Sequence, residues 1–454
     1  PIEHPTTMNE RRLIAGQAAT VFIGQIAVMG FGVTDTLVAG RSSPEALAAL
    51  SVGSSLYITV FVALMGVLQA LLPILSEHVG AGRKHAIGHC FEQGLYICVL
   101  LSLAGAFFLC HPKQILEWTQ VPADLQGVVS DYLAILSLAL APALLFRMFS
   151  TLNQSLGHPR VITLIQVLAL VVKIPLSIWL ALGGDGQPGM GLIGCAWATW
   201  WVNLAMLLAM IGLLVWAPMY RPLRIGAPWR RPDWSTIKPM LAMGLPNGLS
   251  LLVEVSSFAF MALFIARMGN LPLAAHQIAS NVATLLYMVP LSLSIATSAR
   301  VSYWIGANQT QRALQVQWLG IRLVAGCAMA LGLLVWLCRQ PLAAVYSQQA
   351  EVVALASHLL GWLAVFHLGD AMQALGMFLL RCHKVTLMPL LVYALMLWGL
   401  GLGGGQWIAY HGTPWSPALQ HPVAFWISSS LALALTSMIF LWLLRKVSQR
   451  EPRG

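Results

Sequence analysis

Long apolar runs separated by short polar segments recur along the whole chain. A helix that spans a bilayer needs about 20 mostly apolar residues, whereas strands of an outer-membrane barrel alternate apolar and polar residues over about ten positions. The runs here are continuous, so they predict an all-α polytopic membrane protein. Charged and turn-forming residues divide them into twelve predicted transmembrane helices: 12–38, 46–77, 87–110, 123–150, 161–183, 190–217, 239–266, 273–305, 313–337, 350–380, 385–409 and 420–444.

The composition agrees with a membrane protein and excludes several other classes. Hydrophobic residues make up 58% of the chain and charged residues only 9%, against about 25% charged in soluble domains. The seven cysteines are scattered without a CxxC pair, so we interpret them as small apolar residues. The sequence has no Gly-rich phosphate loop and no HExxH or GxSxG motif. We therefore expect neither an ATP-driven pump nor an enzyme, and no cofactor.

Basic residues are distributed unevenly among the predicted loops. If the N-terminus is cytoplasmic, the outer loops hold only Arg41, Lys113, Arg267 and Arg339, and the inner segments hold many more Lys and Arg. Cytoplasmic loops normally carry this excess, so both termini should lie inside. The net charge of +10 is then mostly a topology signal. Because the basic residues are dispersed over short loops, a nucleic-acid partner is not expected.

Two halves of the sequence resemble each other. The segment "EALAALSVGSSL" from Glu45 matches "LPLAAHQIASNV" from Leu271, and "FFLCHP" matches "VWLCRQ" at a similar spacing. An even number of predicted helices separates the repeats, so they share one orientation, and transporters place their binding sites between such repeats. We predict three regions: an N-terminal six-helix lobe over 1–217, a cytoplasmic loop over 218–238 and a C-terminal six-helix lobe over 239–454.

A few charged residues stand alone inside the apolar runs. A charge at the bilayer centre costs about 2.5–3.5 kcal/mol on insertion scales, and such residues usually face a counter-charge or a water-filled cavity. A static ion pair is the alternative to a functional role. The isolated residues are Asp35, Lys173, Glu254 and Asp370.

Three polar residues of the C-terminal half should lie at one depth in the membrane. At a rise of 1.5 Å per residue, Glu254, Asp370 and Tyr287 can share one level of their helices. Two carboxylates and a phenol can exchange a proton for another cation, and hard cations prefer oxygen ligands. We expect Glu254, Asp370 and Tyr287 to bind the coupling ion, with Na⁺ a candidate at the two carboxylates.

In the N-terminal half, Lys173 can come close to Asp35. Lys173 lies about 20 Å along its predicted helix from Arg160, although the estimated depths of the two charges agree only loosely. An ion pair would hold both groups charged. We expect this pair to have a structural role, with Asp35 serving substrate attraction more than proton transfer.

These segments resemble the multidrug and toxic compound extrusion (MATE) family, and its NorM-like branch in particular. The resemblance covers essentially the whole chain. It is carried by "GVTDTLVAG" with Asp35, "GLPNGLSLLVEVSSF" with Glu254, "LAAHQIASNVATLLYMVP" with Tyr287 and "FHLGDAMQALGMFLLR" with Asp370. It implies two six-helix lobes around a central cleft, alternating access, and export of cationic, lipophilic drugs against inward Na⁺ or H⁺. The residues expected to bind substrate or cation are Asp35, Ser55, Gln277, Glu254 and Asp370.

One segment departs from the family pattern. Members often carry Asn on both sides of a "PL" dipeptide in the fifth helix, whereas "VVKIPLSIWL" has Lys173 and Ser177 there. This departure argues against an ion site in the N-terminal lobe.

Two function classes remain open from the sequence. The first is a secondary antiporter for organic cations, and the second is a flippase for a lipid-linked sugar, which needs positive charge to hold pyrophosphate. Lys173 and Arg300 are few against three central acids, so cationic cargo is favoured. The expected partners are organic cations, a coupling cation and the lipid bilayer. We expect a monomer in a bacterial inner membrane.

The distribution of basic residues predicts a membrane topology that cysteine labelling can test. A cysteine introduced by Arg230→Cys should resist an impermeant thiol reagent added outside intact cells, because the 218–238 loop should face the cytoplasm. Permeabilised cells serve as the positive control. Labelling of intact cells at this position would reverse the predicted orientation.

Overall fold

A computed structural model describes residues 7–118, 122–184, 187–226, 230–412 and 417–449. Nearly all of the described chain is helical, apart from a short antiparallel pair, β1 (Gly183–Gly184) and β2 (Gln187–Pro188). A 3₁₀ helix covers Pro218–Leu223 and a π-helical segment covers Leu395–Gly403. The α-helices are α1 (Thr7–Ser42), α2 (Pro44–Gln69), α3 (Leu71–Gly80), α4 (Lys84–Cys110), α5 (Lys113–Trp118), α6 (Ala123–Ser155), α7 (Pro159–Leu182), α8 (Leu192–Trp216), α9 (Trp234–Ala266), α10 (Asn270–Gly306), α11 (Thr310–Leu337), α12 (Arg339–Tyr346), α13 (Ala350–Cys382), α14 (Leu387–Ala394), α15 (Gly404–Tyr410) and α16 (Val423–Ser448).

The described residues contain twelve helical segments that are long and apolar enough to cross a membrane, so the predicted all-α membrane fold is confirmed. Two of the twelve are composite. The second combines α2 and α3, and the eleventh combines α14, the π-helical segment and α15. Several helices continue past their apolar runs: α1 extends from Thr7 to Ser42 and α10 has 37 residues. Hydrophobicity marks the part of a helix in lipid, whereas backbone hydrogen bonding continues into the polar ends.

The repeat seen in the sequence extends to elements that hydrophobicity did not predict. The short helix α5 follows the third membrane helix, and α12 follows the ninth. Helices α1, α2, α4, α5 and α6 begin 226–227 residues before their counterparts α9, α10, α11, α12 and α13, which is the fixed period expected of an internal repeat.

The chain folds into two compact units with boundaries that differ slightly from the predicted lobes. One unit contains Thr20–Gly248, and the other contains Leu249–Gly454 together with the residues before Thr20. The first turns of α1 therefore belong with the C-terminal half. The first turns of α9, up to Gly248, belong with the N-terminal half.

In the N-terminal unit, α6 packs against α2, α4 and α8. The apolar core includes Leu133, Leu136 and Leu140 of α6, which recur at helical spacing and are almost completely buried. In the C-terminal unit, α13 has the corresponding position and packs against α10, α11 and α16. Every residue of α13 from Gly369 to Cys382 is buried, so the polar side chains in this stretch are shielded from solvent.

A buried ion pair attaches the beginning of α1 to the C-terminal unit. Arg300 of α10 donates to both carboxylate oxygens of Glu10, with Nε at 2.9 Å from Oε2, and Trp304 Nε1 lies 3.1 Å from Oε1. Glu10 is only 4% exposed. Bidentate pairing with a second donor is among the stronger forms of ionic contact. The Arg300 guanidinium is therefore engaged in the ion pair with Glu10.

The inter-lobe loop is docked on α4. Gly226 N donates to Glu92 Oε1 at 2.7 Å, and Asp233 N donates to Gln93 Oε1 at 2.8 Å. Hydrogen bonds from Thr236, Ser235 and His89 lower the pKa of Asp233, with Thr236 the largest contributor. The Asp233 carboxylate therefore stays ionised at neutral pH. Its contacts weaken only when strong acid protonates it.

Gly88 of α4 allows the loop to approach this closely. A Cβ at Gly88 would lie 2.0 Å from the carbonyl oxygen of Leu223. Gly88→Ala should push the loop away, with a destabilisation of about 1–3 kcal/mol typical of overpacking. Trypsin should then cleave faster after Arg230, which, unlike Arg231, is not followed by proline. Gly212→Ala is the control, because nothing lies within 4 Å of a Cβ there, and equal cleavage of the two variants would contradict this packing account.

Candidate functional site

A cluster of oxygen-bearing side chains lies among the membrane helices of the C-terminal unit. Glu254 is on α9, Asp370 on α13, Tyr287 on α10 and Tyr393 on α14. The hydroxyls of Tyr287 and Tyr393 lie within hydrogen-bonding reach of the Glu254 carboxylate. Asp370 is close enough to interact electrostatically with Glu254 and with both tyrosines. The structure thus brings together the three residues that the sequence analysis grouped by depth, and it adds Tyr393.

Gln373 links the two sides of this cluster. Its Nε2 donates to the Tyr393 hydroxyl at 3.1 Å, and its side chain is within hydrogen-bonding reach of Asp370. Gln373 follows Asp370 by three residues on α13, so both project from one face of the helix. Its Oε1 is buried and has no hydrogen-bond partner among the described residues. An oxygen in this state is available to a cation.

Sequence reasoning missed Tyr393 and Gln373. The signal for Gln373 was its spacing from Asp370 within "DAMQ". Tyr393 lies in the apolar eleventh membrane segment, and the π-helical segment begins two residues after it. Such segments occur often at functional sites, but no sequence pattern indicated that α14 would carry the Tyr393 side chain to Glu254.

Arg381 directly follows the predicted helix 350–380, yet its side chain lies inside the protein. It is in the last turn of α13, only 2% exposed, and its guanidinium lies 3.9 Å from the ring centroid of Phe378. It is also within electrostatic range of Tyr287. Its Nε and Nη1 have no hydrogen-bond partner among the described residues. The carboxylate cluster therefore has a buried positive charge on one side.

In the N-terminal unit, Asp35 and Lys173 form a buried ion pair. Lys173 Nζ is 2.8 Å from Asp35 Oδ1 and 2.5 Å from Thr199 Oγ1, and Lys173 is completely buried. Ser177 donates to Asp35 Oδ1 at 3.4 Å. Thr199 is a further residue that the sequence analysis did not single out. The Lys and Ser that depart from the family pattern are therefore the partners of Asp35.

Ser55 and Gln277, the other two candidate substrate residues, lie exposed on α2 and α10. The Ser55 hydroxyl donates to the carbonyl of Ser51 one turn earlier, at 2.7 Å. Their roles in substrate binding stay predictions.

The two carboxylates, with their tyrosine and glutamine neighbours, can hold a cation. Two carboxylates in one buried site repel each other unless a proton or a cation relieves the repulsion. Within the described part of the chain, no group of three or more His, Cys, Asp or Glu could hold a metal ion. A metal cation here would therefore use hydroxyl and amide oxygens in addition to the two carboxylates.

Comparison with known proteins agrees with this architecture. The MatE family model matches residues 21–179 and 246–405, one segment in each half. A probable multidrug resistance protein NorM of Aromatoleum aromaticum is 38% identical over 99% of this chain and 98% of that protein. The multidrug resistance protein PmpM of Pseudomonas aeruginosa is 32% identical over 94% of this chain and 89% of that protein.

Solved structures show the same fold at low sequence identity. The eukaryotic MATE transporter AtDTX14 superposes with a TM-score of 0.87 at 17% identity, covering 98% of this chain and 99% of that one. An outward-facing multidrug resistance MATE family transporter also has a TM-score of 0.87, at 16% identity over 98% and 97% of the two chains. The family match over both halves and the full-length relatives show that this chain belongs to the MatE family of membrane transporters and is not an enzyme.

Proposed function

We propose that this protein is a secondary antiporter that exports cationic, lipophilic compounds across a bacterial inner membrane in exchange for inward H⁺ or Na⁺. The observation that carries the proposal is the pairing of Glu254 and Asp370 with two tyrosine hydroxyls among membrane-spanning helices. Buried ionisable residues of this kind mark ion pathways in transporters. The multidrug resistance names of the bacterial relatives support a drug-like cargo.

In this mechanism the carboxylate pair changes its charge when the coupling cation binds. The tyrosine hydroxyls stabilise the ionised Glu254 as hydrogen-bond donors when the site is empty. A proton would bridge or neutralise the carboxylates, and Na⁺ would add the free Oε1 of Gln373 and a tyrosine oxygen as ligands. The same negative charge attracts a cationic drug, so ion and drug compete for one site.

Transport then requires that the two cations favour different conformations. Inward movement of one charge gains about 2.3 kcal/mol per 100 mV of membrane potential. A ligand shifts a conformational equilibrium only by the difference in its affinity for the two states. Alternating access of the two repeats would expose the carboxylate pair to each side in turn. The ion gradient would thereby drive the drug outward.

The N-terminal unit would take a supporting part. Lys173 already neutralises Asp35 at hydrogen-bonding distance, so a further cation has little electrostatic reason to bind there. We propose a structural role for this pair and assign ion coupling to the C-terminal unit. The flippase alternative is not favoured, because Lys173 and Arg300 are both engaged by carboxylates and the relatives are drug-resistance proteins.

Charge removal at the carboxylate pair tests the coupling role. Glu254→Gln and Asp370→Asn keep the side-chain size, so both variants should insert and fold. Each should lose gradient-driven ethidium efflux by at least about tenfold, equivalent to 1.4 kcal/mol. The assay uses reconstituted vesicles with separately imposed H⁺ and Na⁺ gradients, and it thereby identifies the ion.

Glu351→Gln is the matched control for this experiment. Glu351 is an exposed carboxylate in the first turn of α13, the helix that carries Asp370. Its removal should leave coupled efflux unchanged. Near wild-type efflux in the Glu254→Gln, Asp370→Asn double variant would refute the coupling role.

A double-mutant cycle tests the Asp35–Lys173 pair. Lys173→Met or Asp35→Asn alone leaves one buried charge without its partner, which typically destabilises a protein by about 3–5 kcal/mol. The double variant should recover much of this loss. Thermal unfolding in detergent measures the effect. Additive losses from the two single changes would show that the contact does not stabilise the fold, and intact efflux in Lys173→Met with none in Asp35→Asn would argue against the pairing in transport.

A further inference from the structure

A polar recess in the N-terminal unit contains a charge that the proposed antiport mechanism does not use. Arg147 projects from α6 into this recess between α1, α6 and α7. It lies eight residues before the end of α6 and hence about 12 Å along the helix axis from Ser155. The sequence analysis did not single it out, although it lies within the predicted helix 123–150. The complete lining is Val21, Gln25, Arg147, Ser150, Gln154, Pro159, Ile162, Thr163 and Gln166.

The Arg147 guanidinium has no counter-charge among the residues that the structure describes. None of the lining residues is acidic, and the ion pairs found in the described chain join other residues. No side-chain hydrogen bond of Arg147 is formed with any residue that the structure describes. Arg147 is half-buried, so its charge is partly desolvated, and a binding partner would offset that cost. The contrast with Lys173, which has a carboxylate at 2.8 Å, indicates that the partner of Arg147 comes from outside the chain.

The remaining lining groups suit an oxyanion. Gln154 Nε2 donates to Ser150 Oγ at 3.2 Å, which leaves the Ser150 hydroxyl proton free to be donated. The amide groups of Gln25 and Gln166 add further donors. Guanidinium groups bind phosphate and carboxylate oxygens through two parallel hydrogen bonds. Because α7 begins at Pro159, the positive end of its dipole also faces the recess.

Close packing of α1 against α7 keeps this recess narrow. Thr163 Oγ1 donates to the carbonyl of Thr20 at 2.8 Å and joins α7 to α1. A Cβ at Gly24 would lie 2.2 Å from Gln166 Oε1, so the absence of a side chain at Gly24 leaves room for the Gln166 amide. The enclosed space is comparable to one water molecule. A ligand can therefore insert an oxygen or two, while the rest of it stays outside.

We propose that Arg147 is the anchor of a phosphate-binding site in the N-terminal unit. Its ligand is a phosphate group, carried by a phospholipid headgroup or by free inorganic phosphate. The recess is close to the α6–α7 connection, which the positive-inside pattern assigns to the cytoplasmic side. A lipid phosphate at that membrane surface is within reach of a long arginine side chain.

Binding to purified, delipidated protein tests this site. Native mass spectrometry measures the retention of phosphatidylglycerol, with diacylglycerol as the lipid that lacks a phosphate. Thermal unfolding measures stabilisation by inorganic phosphate against chloride at equal ionic strength. Arg147→Gln should weaken phosphate-dependent binding by about 10–100-fold, since hydrogen bonds to charged groups are worth about 1.5–3 kcal/mol.

Arg160→Gln is the matched control. Arg160 is an exposed arginine next to Pro159, so its removal changes the same net charge near the recess without altering its lining. It should bind phosphate ligands as the wild type does. Arg147-dependent retention of lipid identifies a headgroup site, and Arg147-dependent stabilisation by inorganic phosphate alone identifies a free-ion site.

Two milder changes keep the test decisive if Arg147→Gln does not fold. Arg147→Lys retains the charge but loses the two-pronged geometry, and Ser150→Ala removes one donor. Each should weaken binding by about threefold to tenfold, in proportion to a lost hydrogen bond. Phosphate-dependent binding that is equal in the wild type and all Arg147 and Ser150 variants would overturn the proposal.

Discussion

An ionised side chain among membrane-spanning helices costs about 2.5–3.5 kcal/mol on insertion scales, and the polar organisation of this protein depends on how each such charge is compensated. Lys173 and Asp35 compensate each other, and Arg300 compensates Glu10. Glu254 is surrounded by hydroxyl donors and lies near a second carboxylate instead of a cation. The structural pairs are complete within the chain. The carboxylate pair lacks such a partner, which is why we propose that an external cation binds there.

The helical fold was predictable because the bilayer imposes a length and a hydrophobicity on every spanning segment. The twelve membrane helices followed from that constraint. The short helices α5 and α12 did not, because they lie outside the apolar runs. The assignment of the first turns of α1 to the C-terminal unit was also beyond the sequence pattern, since it rests on the contact between Glu10 and Arg300, 290 residues apart.

The candidate site was predictable where a charge stood alone and unpredictable where it did not. Glu254 and Asp370 stood out because a carboxylate in an apolar run needs an explanation. Tyr393 and Gln373 are uncharged, so their positions carried no comparable penalty in the sequence. Arg147 was overlooked although it is charged, and Arg381 is buried although it lies just beyond the predicted helix 350–380. Depth along one helix does not reveal which neighbouring helix covers a side chain.

The two halves share a fold but not its chemistry. With the repeat offset of about 227 residues, Glu254 and Asp370 correspond to Ala27 and Ala143, and Asp35 corresponds to Ala262. Duplication therefore supplied two similar helical frames, and the charged groups differ between them. The C-terminal frame holds the Glu254–Asp370 pair and the buried Arg381, while the N-terminal frame holds a neutralised pair and Arg147, which has no counter-charge among the described residues. The proposed ligands follow these local charges, with a cation at the Glu254–Asp370 pair and a phosphate at Arg147.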